Sequence, residues 1–100
     1  MREQAIHELK AAPESFGAIL DEHKRSEYRQ DDRVYAVGDL LILCEWSGDG
    51  GYSGRALTAI VDHIQAGGVY GIPEGYVVMT IVPTMARSFD DGAWTAWEER

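Results

Sequence analysis

An α+β fold dominated by strands is predicted for this 100-residue chain by two observations. Helical periodicity appears near the start, where Phe16, Ile19 and Leu20 fall at i, i+3 and i+4 behind Pro13. Much of the remainder is short apolar or alternating runs separated by polar or glycine-rich turns. Strands that short protect their edges by closing or packing on one another. About five of them, with one helix plugging an end, make a small, partly open β-barrel.

Ala5 to Leu9 alternates apolar and polar residues, as a half-buried strand does. Pro13 then opens the helix, where its missing N–H costs nothing, and Glu14 complements the helix dipole. Asp21 to Arg25 forms the exit loop. Ser26 to Gln30 is a short strand with Glu27 and Arg29 on one face and Tyr28 on the other. Composition alone points Tyr28 to the core and the two charges to water. Polar turns at Asp31-Asp32-Arg33 and Val37-Gly38-Asp39 precede the apolar strand Leu40 to Trp46. Ser47 to Gly51 is a hairpin loop, and the return strand runs from Ser53 or Arg55 to Ile64. An irregular connection through Gly67-Gly68 and Gly71 to Gly75 leads to Tyr76–Val82, a central strand that Pro83 ends.

Residues 1–83 are therefore expected to form one domain and residues 84–100 a polar tail. Asp90, Asp91, Glu98 and Glu99 make that tail acidic, while Phe89, Trp94 and Trp97 punctuate it. The three-residue spacing of the tryptophans suggests a short C-terminal helix that docks on the barrel or on a second copy, giving a homodimer.

The net charge of −8 argues against a grip on duplex DNA, whose binding needs cationic surface. Six of the nine Lys and Arg residues nevertheless lie within the first 33 positions: Arg2, Lys10, Lys24, Arg25, Arg29 and Arg33. A local cationic patch on an acidic body suits a small anionic ligand or a short piece of RNA. Cys44 has no disulfide partner in the chain and sits in an apolar run, where it reads as a buried small side chain. That usage, with no apolar signal region and no run long enough to span a bilayer, leads us to expect a cytoplasmic protein without a membrane partner. Three scattered histidines make no metal site, and no cofactor is implied. Tyr35 and Trp46 are candidates for stacking on a base, with core packing the stronger reading for Trp46.

His7-x-Leu9-Lys10, Pro13, Phe16, Lys24-x-x-Glu27-x-Arg29 and Asp32-Arg33-x-Tyr35-x-Val37-Gly38-Asp39 together resemble the DUF3850 family. Glu45-Trp46, Tyr52-Ser53-Gly54-Arg55, Gly67-Gly68, Gly71-Ile72-Pro73 and Tyr76 to Met79 extend the likeness. That family in turn resembles the ASCH domains of the PUA-like superfamily, whose signature has the form Gly-x-Lys-x-x-Glu-x-Arg. Glu22 stands here at the glycine position. The resemblance implies a PUA-like pseudo-barrel that binds RNA or a modified nucleoside in a cleft formed by His7, Lys10, Lys24, Glu27, Arg29 and Tyr35. It also admits a small amidohydrolase acting on an acylated nucleobase such as N4-acetylcytidine, in which Lys24 and Glu27 would be catalytic. The threonine of the related enzyme is replaced by Glu27. Self-association through the tail is a third function class.

Overall fold

The computed structural model describes residues 3–88 and 92–97. Strand β1 (Ile6–Ala11) leads into helix α1 (Pro13–Leu20), followed by β2 (Ser26–Gln30), β3 (Leu40–Ser47), β4 (Gly51–Ala66), β5 (Tyr76–Arg87) and β6 (Trp94–Ala96). The strands form a curled half-barrel in the order β1-β3-β4-β5-β2, with β6 added alongside β5. β1 runs parallel to β3, and the other pairs are antiparallel. Leu9, Phe16, Ile19, Leu41, Leu43, Leu57, Val61, Met79 and Ile81 fill the concave side. α1 buries Phe16 and Ile19 into the same core. Among the described residues, no helix is long and apolar enough to cross a membrane.

β1 and β2 lie at opposite ends of the sheet path. A side chain joins them: Arg29 Nη2 donates to the Lys10 carbonyl at 2.7 Å. The charged face of β2 thus turns inward, correcting the expectation that Tyr28 faces the core. Glu27 is 2% exposed, whereas Tyr28 is 54% exposed and stacks on Tyr76 with ring centroids 5.4 Å apart. Glu27 can be buried because it is held between two cations, and the two tyrosines cover each other outside.

α1 ends in a Schellman motif. The Glu22 N–H donates to the Ile19 carbonyl at 3.1 Å, and the His23 N–H donates to the Ala18 carbonyl at 2.9 Å. That motif needs a left-handed residue just past the helix, and Glu22 supplies it with φ 64°. The turn keeps the shape a glycine would favour, at a cost of roughly 1–2 kcal/mol for a residue with a Cβ. This turn sets the direction in which Lys24 leaves the helix.

Two further expectations are corrected. Pro83 does not end β5, which continues to Arg87. The register shifts where Thr58 faces Met85 and Ala59 faces Pro83, leaving Thr84 as an extra residue. A bulge of this kind accommodates a proline that cannot donate to the ladder. Trp94 and Trp97 do not share a helix: Trp94–Ala96 is a strand, with Trp94 opposite Arg87 and Ala96 opposite Met85. The prolonged β5 offers an edge of backbone groups that a neighbouring strand satisfies, and aromatic residues suit that role. The Arg87 guanidinium lies 5.2 Å from the Trp94 ring, and that of Arg25 lies 5.6 Å from the Trp97 ring. Arg2, Phe89, Asp90, Asp91, Glu98 and Glu99 lie outside the described residues.

Candidate ligand-binding site

Glu27 is the hub of the first polar cluster. Its Oε1 accepts from Lys24 Nζ at 3.1 Å, and its Oε2 accepts from Arg29 Nε at 2.9 Å. Lys24 Nζ also donates to Ser15 Oγ on α1, while Arg29 reaches the β1 backbone at Lys10. One buried carboxylate therefore fixes two cations, each tied to a different element. Desolvating a carboxylate costs several kcal/mol, and two charge-assisted hydrogen bonds offset it. The Lys24 and Arg29 side chains keep 29% and 24% of their surface, so both remain within reach of a ligand.

The sequence-predicted site residues divide into separate places. Lys24 lines an open hollow of about 330 Å³ beside α1, together with Ala12, Glu14, Ser15 and Ala18. Lys10 and Arg29 line a different and larger groove of about 580 Å³. His7 and Tyr35 belong to a buried cluster around Asp39. His7 Nε2 donates to Asp39 Oδ2 at 2.9 Å, and the His7 and Tyr35 rings meet edge to face at 4.7 Å. Asp39 also accepts the backbone N–H groups of Ala5 and Ala36, locking the 36–39 turn onto the start of β1. Burial pushes the Tyr35 phenol pKa up, against the pull of Arg33 and Arg29.

The 580 Å³ groove is bounded by Lys10, Arg29 and Arg33, with Glu8, Tyr52, Leu9 and Cys44 completing it. Alternation places Glu8 and Lys10 on the outer face of β1, while His7, Leu9 and Ala11 point into the core. The Lys10 ammonium lies 4.3 Å from the Trp46 ring centroid and 6.0 Å from that of Tyr52. Trp46 and Tyr52 are cross-strand partners in the β3–β4 hairpin, and Tyr52 is 60% exposed. Arg33 and Tyr52 were not singled out for this site from the sequence. The signal for Tyr52 was its position closing the hairpin opposite Trp46. Burial, then the neighbouring Glu8, raise the Cys44 thiol pKa, so it stays protonated and inert in the groove wall.

A second buried ion pair supports the helix side. Glu45 on β3 takes a bidentate contact from Arg55 on β4 at 2.9 and 2.8 Å and accepts from Ser53 Oγ at 2.7 Å. The Arg55 guanidinium lies 5.2 Å from the Phe16 ring, linking the pair to α1. The Arg55 hydrogen bonds hold the Glu45 carboxyl below its ordinary 4.5, overcoming the upward push of burial, and Ser53 adds to the lowering. A carboxylate with a depressed folded pKa contributes stability that is present above the unfolded pKa and lost as pH falls through the folded one. Glu45→Gln is therefore expected to lower the melting temperature at pH 7 and to flatten its decline between about pH 5 and pH 3. Parallel acid limbs in thermal melts of the two proteins would exclude this role.

A family model described as "Domain of unknown function (DUF3850)" matches residues 6–81. The chain belongs to the DUF3850 family. The matched span contains Glu8, Lys10, Lys24, Glu27, Arg29, Arg33, Glu45, Tyr52 and Arg55, so both ion-pair clusters and the groove residues fall within the DUF3850 domain. One relative is an uncharacterized 12.9 kDa protein in the GpA 3′ region of Escherichia phage P2, 41% identical over 59 residues. The aligned stretch covers 59% of this chain and 53% of the relative, so the likeness extends over about half of the phage protein.

Proposed function

We propose that this DUF3850 domain is a binding module for RNA or a modified nucleoside. The observation that carries the reading is the sorting of charge: Lys10, Arg29 and Arg33 meet at one groove beside an exposed Tyr52, on a chain of net charge −8. Clustered cations attract phosphate, and an accessible aromatic face supports base stacking. Resemblance to ASCH domains of the PUA-like superfamily favours the same ligand class. In this reading Arg29 presents its guanidinium from a position fixed by Glu27, and Lys24 secures that arrangement to α1.

Arg33 offers the cleanest test, because its side chain is 44% exposed and its contact to Asp32 is a loose 3.9 Å. Arg33→Gln should leave the melting temperature unchanged. It should weaken binding of a short single-stranded RNA and reduce the slope of log K against log salt by about 0.7. Fluorescence anisotropy across a salt series measures this. Absence of binding by short RNAs and by nucleosides alike would remove the proposal.

One observation favours a second reading, hydrolysis of an acylated nucleobase such as N4-acetylcytidine. Lys24 is hydrogen-bonded to the Ser15 hydroxyl at the edge of the 330 Å³ hollow, so α1 supplies a hydroxyl where the β2 motif carries Glu27. Acetate release from N4-acetylcytidine, lost in Ser15→Ala with the fold intact, is the expected result of that reading. No release by the unaltered protein would eliminate it.

A further inference from the structure

The 580 Å³ groove does not stop at Tyr52. A second hollow of about 190 Å³ shares Glu8, Cys44 and Tyr52 with it and is bounded beyond them by Gly54, Arg55 and Arg87. Five of the nine Lys and Arg residues thus line two adjoining hollows: Lys10, Arg29 and Arg33 in one, Arg55 and Arg87 in the other. Three of the five have a carboxylate partner: Arg29 has Glu27, Arg55 has Glu45 and Arg33 has Asp32 in a loose contact at 3.9 Å. Arg87 is turned by its Nε donating to the Gly54 carbonyl at 3.1 Å and lies against Trp94. Cationic groups at both ends of a groove, with Tyr52 between them, match successive phosphates of one strand better than a single phosphate.

Glu8 stands against this pattern. Among the described residues that line both hollows it is the carboxylate, and it lies where they meet. Its Oε1 is 3.8 Å from the Cys44 thiol, which donates to it from the groove wall. A carboxylate among cations weakens phosphate binding unless it meets a donor on the ligand. The donors that a nucleobase offers beside a stacked ring are its exocyclic amine and ring N–H groups.

Resting on the nucleic-acid reading above, we infer that the outer face of β1, β3 and β4 holds at least two nucleotides of a single strand, with Glu8 selecting bases that carry an amino group. Cytosine, adenine and guanine each present such an amine to a carboxylate. Uracil flanks its one N–H with two carbonyl oxygens, which a carboxylate repels. Tyr52 supplies the stacking face beside Glu8, and the cations at either end hold the flanking phosphates. An acidic peptide would satisfy the cations but would bring further carboxylates toward Glu8.

The test compares a tetracytidylate, a tetrauridylate, cytidine 5′-monophosphate and a tetraglutamate peptide on the full chain by anisotropy competition. The unaltered protein should bind the tetracytidylate about tenfold more tightly than the tetrauridylate, the size of effect expected of a base-edge contact. It should bind cytidine monophosphate more weakly than the tetranucleotide. Glu8→Gln should bring the cytidylate-to-uridylate ratio close to one, because an amide can offer either a donor or an acceptor. Equal binding of the two tetranucleotides by the unaltered protein, or a ratio that survives Glu8→Gln, overturns the inference and leaves the nucleic-acid reading standing. Binding of the peptide as tightly as the tetracytidylate overturns it in favour of a protein partner. Failure of every nucleotide to bind removes both.

Discussion

Glu27→Ala is expected to lower the unfolding free energy by about 3 kcal/mol, the lower end for breaking a buried ion pair. The substitution removes an almost fully buried carboxylate and leaves Lys24 and Arg29, both partly exposed, without the counter-charge they share. It also frees Arg29, whose other bond ties β2 to the backbone of β1 at Lys10. Lys24→Met, by contrast, should cost no more than about 1 kcal/mol, because Lys24 is partly exposed and Arg29 still satisfies Glu27. The two substitutions should not add: in Lys24→Met/Glu27→Ala the repulsion between the stranded cations is gone. Urea titrations followed by tryptophan fluorescence read all three proteins. A loss below about 1 kcal/mol in Glu27→Ala would mean that the carboxylate does not hold the sheet ends together. Glu27→Ala should also weaken RNA binding, although Glu27 is not among the residues lining the groove, because it orients Arg29, which is.

Local patterns in the chain resolve the elements from β1 to the first half of β5 but not which face of β2 turns inward. Ser26–Gln30 is legible as a strand, and alternation correctly separates Glu27 and Arg29 from Tyr28. Which face turns inward depends on partners far away in sequence, because Glu27 is tolerable inside only with Arg29 anchored to Lys10, 19 residues earlier. The same limit applies to His7. Its buried position follows from Asp39, which is 32 residues distant and carried to it by the parallel β1–β3 pairing. Trp94–Ala96 forms a strand because of the edge that β5 offers, and a three-residue strand has no period of its own to read. The groove is legible only in part. Lys10 and Arg29 stand out as charges with spacing that suits a site, whereas Arg33 joins them from the segment between β2 and β3 and Tyr52 from the start of β4.

Gly67→Ala carries the other large expected effect, about 3 kcal/mol or outright loss of soluble protein. A Cβ at residue 67 would strike the Pro73 carbonyl and lie 2.7 Å from the Tyr76 carbonyl oxygen. Both obstacles are backbone, so no side-chain rotation relieves them. The segment they belong to is already committed: the Gly68 N–H donates to the Ile72 carbonyl at 2.7 Å, and the Asp31 N–H donates to the Gly75 carbonyl at 2.7 Å. Pushing residues 73–76 outward therefore pulls on the end of β2, where Gln30 pairs with Tyr76 and Arg29 with Val77. A loop remote in sequence from the charged motif thus sets the register from which Arg29 reaches Lys10. Gly48→Ala is the control, because a Cβ there meets nothing within 4 Å, and its cost should stay within about 0.5 kcal/mol. Similar urea midpoints for the two variants would show that the 67–75 loop yields to the added methyl group. A large loss confined to Gly67→Ala would show that its backbone is packed tightly enough to hold β2, and with it Arg29, in place.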